Sequence, residues 1–404
     1  MQKIIIVLQK PVSYARNLFF LVRSLFFFEK YDLIVVDDVF PNKMSPWRYE
    51  EYLNYLKTFD NRLCILLTGG ALKLLNDHRS VEQVIHEFEM NHPLYKDRLK
   101  KFVFFRKVKA RLGYVVFLNN ADIALSYFES NKIPFVFTLY PGGGFLLDEE
   151  ESDNKLRRVT SSPFFKGVIT TQKITSDYLI RKRFCAESKI HFIFGVVAPI
   201  QLLKSSIEDK AYFSNQIMNV GFIAHKYMRG GVDKGFNHFI DAAKILSERG
   251  DNFCFHVVGP YNDTDCSHPE TLQHVKFHGS LIPERLHDLH RILDVVVSPN
   301  VPFALNAGSF DGFPTASSTE AALNGVAMMV TDELELNPGF THMEDIILIK
   351  PNGDKIVEFL EYFSHHKEAL TSLARKGMDK CKELYSEKNQ IQGRINYILK
   401  NIDL

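Results

Sequence analysis

Cysteine is scarce in this chain and poorly placed for structural chemistry. The five cysteines (Cys64, Cys185, Cys254, Cys266 and Cys381) are odd in number, widely spaced and never arranged as C-x-x-C. That argues against a disulfide framework and against a zinc site, and it fits a reducing compartment. A surplus of charge is missing too, since 49 basic residues stand against 48 acidic ones for a formal net charge of +1. No global field draws such a chain onto nucleic acid, so any basic partner surface must be local. Long apolar runs are absent: Leu18–Phe28 is interrupted by Arg23 and falls short of the roughly 20 residues that a bilayer-crossing helix needs. The opening run Met1–Leu8 is strand-like and carries no cleavage site. No signal peptide and no membrane span are therefore expected, and the location is read as cytoplasmic. Nor is there a Gly/Ser/Pro-rich or single-residue tract, so the whole chain is expected to fold.

What is present is a length of 404 residues with 46% hydrophobic residues, enough for two domains of about 200 residues each. Short apolar, β-branched runs alternate with helical stretches. In the first half they are Ile4–Leu8, Leu33–Val36, Leu63–Leu67, Val115–Leu118, Phe135–Tyr140, Gly167–Thr170 and Ile190–Val197. After the polar stretch Lys204–Gln216 they resume as Met218–Ile223, Phe253–Val258, Val275–His278, Val295–Ser298, Ala327–Val330 and Ile346–Ile349. Strands that alternate with helices and are apolar on both faces imply parallel sheets covered on both sides. The expected division is residues 1–203, residues 217–380 and a helical segment 381–404 that packs back on the first domain. No repeat at a solenoid period is visible.

The signals for chemistry lie in the second half, each at the end of an expected strand, where open α/β sheets bind ligands. They run Gly221-Phe222-Ile223, then Asp233-Lys234-Gly235 before a helix, Gly259-Pro260, Ser298-Pro299, Phe310-Asp311-Gly312-Phe313-Pro314-Thr315, and Glu320 ahead of Asn324-Gly325. In this order they resemble the nucleotide-sugar-binding domain of glycosyltransferase family 4, retaining enzymes of the GT-B fold. The resemblance implies two facing Rossmann-like domains with a deep cleft. It also implies a UDP- or GDP-sugar as donor and no required metal or other cofactor.

That resemblance implies roles for particular residues. Lys234 would neutralise the donor diphosphate, beside the free N–H groups of a helix start. Glu320 would grip the ribose hydroxyls, although Ser317-Ser318-Thr319-Glu320 also spells a capping box in which the glutamate only satisfies a backbone N–H. The family sets a second glutamate eight positions before this one; here that position is Gly312, and Asp311 is the nearest carboxylate. Asp311, Lys234 and Glu320 are thus the catalytic candidates. The donor-binding candidates are Gly221, Gly259, Ser298, Pro299 and the stretch Gly312, Phe313, Pro314, Thr315, Ser317, Ser318 and Thr319. Family members carry an arginine where this chain has Phe222, so Lys226 or Arg229 would supply the missing charge. In the first half, Tyr140, Gly142, Gly143 and Gly144 follow an expected buried strand. The three glycines permit close backbone approach to an acceptor-side ligand, and Tyr140 stands where the family often places a histidine.

Three further features have plainer readings. Asp263-Thr264-Asp265 has a D-x-D spelling in an expected surface loop, where coincidence is the simpler account. The acidic run Asp148–Asp153 reads as a solvated loop. Lys96–Arg111 packs eight basic residues with Phe102, Phe104 and Phe105 against the single acid Asp97. It suits either an anionic membrane surface, which would place the protein at the inner face of a membrane, or a solvated helix face. The expected activity is retaining transfer of a hexose-type sugar to a glycan or lipid-linked acceptor in surface polysaccharide assembly. The rivals are a non-catalytic accessory or glycan-binding GT-B subunit and a nucleotide-sugar epimerase.

Overall fold

The computed structural model describes residues 29–43, 45–72, 77–207, 210–250, 252–266 and 274–403. The expected strand Ile4–Leu8 and the apolar run Leu18–Phe28 lie outside these residues. The first sheet contains β1 (Glu29–Asp37), β2 (Leu63–Leu67), β3 (Leu99–Lys101), β4 (Val108–Val116), β5 (Phe135–Leu139), β6 (Phe165–Thr170) and β7 (Ile190–Phe192), in the order β3-β2-β1-β4-β5-β6-β7. The second contains β8 (Met218–Ile223), β9 (Phe253–Val258), β10 (Val275–Phe277), β11 (Val295–Ser298), β12 (Ala327–Thr331) and β13 (Ile347–Ile349), in the order β10-β9-β8-β11-β12-β13. Every paired strand runs parallel, as in β1 with β2 and β4, and β8 with β9 and β11. Both orders reverse direction beside their first strand, and that switch point opens a crevice at the carboxyl ends.

Burial follows the strand period. In β5, Phe135, Phe137 and Leu139 enter one core layer while Val136 enters the layer on the other face. In the second sheet, Val295 and Val297 face one layer and Val296 the other. Continuous apolar runs are what a sheet covered by helices on both faces requires.

The basic stretch Lys96–Arg111 is not a helix face. It holds β3, a connection and the start of β4, because strand pairing with Ile65–Leu67 fixes residues 99–101. Its charges are largely matched: Lys100 meets Glu29 at 2.8 Å, Lys101 meets Glu82 at 2.7 Å and Arg98 meets Asp60 at 3.2 Å. Phe102 packs on the core against Tyr127, and Phe104 and Phe105 are exposed. The acidic run is not a loop either. Glu149 caps the helix Glu150–Ser161 by accepting the amides of Glu151 and Ser152, the anionic start that a helix dipole favours.

Between the sheets the chain is tied down. Buried Asp294 accepts the amides of Phe213 and Asn219, fixing the end of the linker to β8. The chain then returns: the helix Gly393–Asp403 lies on the first domain, where fully buried Arg394 donates to Tyr140 Oη at 3.0 Å and to the Gly195 carbonyl at 3.0 Å. Tyr397 stacks on His191 with centroids 4.4 Å apart. A loop from the second domain also reaches across, with Leu147 N–H donating to the Gly308 carbonyl at 2.9 Å and Phe310 against Phe145. No helix among the described residues is long and apolar enough to cross a membrane.

Candidate active site in the interdomain cleft

A cavity of about 400 Å³ lies between the domains at the carboxyl ends of the second sheet. Lys234, Gly259, Ser298, Asp311, Thr315 and Glu320 line it from the second domain, and Trp47, Val196 and Pro199 from the first. Ser317 and Thr319 line it as well.

Lys234 reaches this cavity because Gly235 makes a sharp turn beneath Pro299. Gly235 has φ 66°, and a Cβ there would lie 2.0 Å from the Pro299 carbonyl oxygen, so no other residue fits. The helix Phe236–Arg249 starts directly afterwards. Lys234 itself is only 8% exposed and is saturated with partners. Its ammonium donates to both oxygens of Asp311 at 2.7 Å, lies 3.9 Å from Asp233 and sits 5.1 Å from the Tyr227 ring centroid. Asn300 donates to the same Asp311 carboxylate at 3.0 Å. Asp233 is buried, and burial raises its carboxyl above the ordinary range. One ammonium thus faces two carboxylates.

Glu320 is in the opposite condition. The helix Ala316–Leu323 is capped by Thr315, whose hydroxyl accepts the Ser318 amide at 3.3 Å. The capping box starting at Ser317 does not form, because the helix begins two residues earlier than that box requires and Glu320 falls beyond the first turn. Its carboxylate has no hydrogen bond or ion pair among the described residues. Burial alone pushes its pKa up to about 7, since a desolvated carboxylate favours its neutral form.

The remaining sequence candidates divide. Gly312, Phe313 and Pro314 line a small adjoining cavity of about 40 Å³ shared with Asp311 and Ser298. Gly259 has φ 129° and lies against the Ala224 carbonyl. Gly221 is packed against Leu293 in the sheet, Pro299 covers Gly235, and Ser318 is fully buried. Lys226 is bound to Asp265 at 2.8 Å and Arg229 is exposed, and neither lines the cavity. The salt bridge to Lys226 also accounts for one of the two aspartates spelled D-x-D, and no cluster of metal-ligating side chains occurs among the described residues. Phe222 points into the core against Phe236, Phe239 and Tyr261, so an arginine there would be buried in apolar surroundings.

Tyr140 does not reach the cavity. It is buried, bonded to Arg394 and packed edge-to-face behind Trp47 with centroids 5.0 Å apart. Gly142, Gly143 and Gly144 all have positive φ, but the latter two lie against Phe117 and Asn119 rather than on the cavity. Sequence reasoning missed Asn300, Trp47, His225 and Tyr227. A weak signal existed for Asn300, two residues beyond a strand end, and for Trp47, the only tryptophan of the chain.

Several solved structures share this architecture. HepE of Anabaena, solved with UDP and glucose, superposes with a TM-score of 0.64 at 15% identity, covering 92% of this chain and 99% of its own. Sucrose-phosphate synthase of Thermosynechococcus elongatus gives 0.61 at 12% identity, with 92% and 99% covered. The fold is GT-B. A glycosyltransferase of Rickettsia africae gives 0.58 at 11% identity, covering 93% of this chain and 98% of its own. Residues 237–399 match a family model described as glycosyl transferase-like. This span of the GT-B chain takes in Asp311 and Glu320 and begins three residues after Lys234. No curated protein sequence matches the chain.

Proposed function

We propose that this chain is a retaining glycosyltransferase of the family 4 type, moving a hexose from a nucleoside-diphosphate sugar to a glycan in surface polysaccharide assembly. The observation that carries the reading is Glu320: a half-buried carboxylate without a protein partner among the described residues, in the same cavity as Lys234. An ionised carboxylate only accepts hydrogen bonds, and this one faces the cavity with its acceptor sites untaken by the protein. Ribose hydroxyls donating to the carboxylate fill those sites. Neighbours of the same fold have been solved with UDP, UDP and glucose, or UDP-glucose.

In this reading the nucleoside lies against Gly259 and Glu320, and the diphosphate lies toward Lys234. Lys234 leaves Asp311 for the diphosphate, and the starts of the helices at Phe236 and Ala316 add free N–H groups. The freed Asp311 then faces the donor sugar. The bond from the anomeric carbon to the diphosphate oxygen breaks and its electron pair stays on the diphosphate. The acceptor oxygen bonds to the same carbon from the same face, and the acceptor proton passes to the departing diphosphate. The charge that develops is met by Lys234 and backbone dipoles, so no metal is required.

A second reading, a non-catalytic GT-B subunit, is favoured by one observation: with Phe222 in the core and Lys226 held by Asp265, only Lys234 among the described lysines and arginines lines the cavity. A thermal-shift screen against nucleoside diphosphates and their sugars, with and without EDTA, separates the two. Stabilisation by one nucleotide-sugar that survives EDTA and is lost in Glu320→Ala and Lys234→Ala is the expected result. No shift with any nucleotide contradicts the enzyme reading and leaves the accessory subunit.

A further inference from the structure

A second interdomain cavity, of about 590 Å³, adjoins the first. The two are lined by neighbouring stretches of chain: Pro46 and Trp47 line the first and Tyr49 the second, while consecutive Leu281 and Ile282 line the first and the second. Tyr49 and His92 form its wall on the first domain, with the tyrosine hydroxyl 2.9 Å from His92 Nε2 and the Phe88 ring packed behind His92 at 4.6 Å and tilted by 34°. Lys43 lies 5.6 Å from the Tyr49 ring centroid. Asn91 and Glu87 add planar polar groups on this side, and Pro283 and Glu284 close the other.

This lining has a definite chemistry. Aromatic rings beside planar amide and carboxylate groups match a ligand with an apolar C–H face and a rim of hydroxyls, as a sugar ring has. The cavity carries no positive surplus: Arg79 is paired with Asp77 and Glu87, and Lys43 shares the space with Glu284. Phosphorylated or acidic ligands therefore find no cationic cradle. Trp47 stands between the cavities, its ring backed by Tyr140 and Phe117 and its indole N–H without a hydrogen-bond partner among the described residues.

We propose that this second cavity is the acceptor track and that it takes a neutral oligosaccharide of two or more units. Tyr49 and His92 hold the inner sugars, and Trp47 presents the terminal sugar to the donor cavity. The inference rests on the proposed glycosyltransferase reading and adds the acceptor's class: a growing chain rather than a single sugar or a phosphate-bearing lipid.

The test uses the full chain, fluorescently labelled, on an array carrying neutral, acidic and phosphorylated glycans of one to six units. Nucleoside-diphosphate thermal shift is recorded alongside as a control for folding and for the donor site. Binding to neutral glycans is expected to strengthen about tenfold from one unit to three and to fall about tenfold in Tyr49→Ala and in His92→Ala, with the nucleotide shift retained in both. A protein that shifts with nucleotide but retains no glycan overturns this inference and leaves the proposed function standing. So does one that prefers acidic or phosphorylated glycans, or whose glycan binding survives both substitutions. Loss of the nucleotide shift in the unmodified protein overturns the reading beneath it.

Discussion

Two charged side chains share one cavity and differ in everything but location. Lys234 is held by Asp311 at 2.7 Å with Asp233 close by, whereas Glu320 has no partner among the described residues and a pKa raised to about 7. The cation is fully occupied before any ligand arrives and the carboxylate is not. In the proposed reading a donor completes one end of the site and must take over a salt bridge at the other. The cost of binding concentrates at Lys234, and the pH dependence concentrates at Glu320.

The comparison breaks most severely in Lys234→Ala. In the proposed reading that change removes the ammonium that meets the leaving group, and it leaves Asp233 and Asp311 without the lysine that faces both. Removal of one such transition-state donor costs about 10²–10³ in rate, to be read as UDP or GDP release per enzyme in the presence of acceptor. Glu320→Ala comes next: hydrogen bonds to a charged group contribute about 1.5–3 kcal/mol, so nucleotide affinity falls about tenfold to a hundredfold by calorimetry. Asp311→Asn sharpens the contrast in the other direction, because it frees Lys234. Nucleotide affinity is expected to rise several-fold, about 1 kcal/mol, while sugar transfer falls if the Asp311 carboxylate serves the donor sugar. Lys226→Ala has the smallest effect, less than about threefold on affinity, since Lys226 and its partner Asp265 lie outside the cavity.

Stability gives a separate check with a defined sign. Glu320 has a folded pKa of about 7 against an ordinary value of 4.5, so the folded protein holds this proton more tightly than the unfolded chain does. The stabilisation is fully present below pH 4.5 and is lost as pH rises through about 7. Glu320→Gln should therefore melt higher than the unmodified protein at pH 8 and nearly level with it at pH 4.5.

Much of the second domain was legible because its strands are continuous apolar runs between turn signals; β8, β9 and β11 begin and end where the runs do. The short β3 was hidden by its lysines, since three residues on a sheet edge need no apolar pattern. Lys234, Asp311 and Glu320 were recognisable by order and spacing, yet their contrasting states were not. The salt bridge joins residues 77 positions apart, and the isolation of Glu320 depends on a helix starting at Ala316 instead of at Ser318. Tyr140 misled for a similar reason: its partner, Arg394, is 254 positions away, and no local pattern announces a bond of that range. Trp47 enters the site only through the facing of two domains, whereas Tyr227 comes from the second domain itself, its ring 5.1 Å from the Lys234 ammonium.

The most direct measurement is the proton balance of donor binding, by calorimetric titration of a nucleoside-diphosphate sugar in buffers of different ionisation enthalpy at pH 6 and pH 8. Such a donor has no phosphate ionisation in this range, so a released proton reports on the protein. The account predicts release of most of one proton per binding event at pH 6, almost none at pH 8, and none at either pH in Glu320→Gln. Binding heats at pH 6 that do not depend on the buffer, or a proton release that survives in Glu320→Gln, would contradict it.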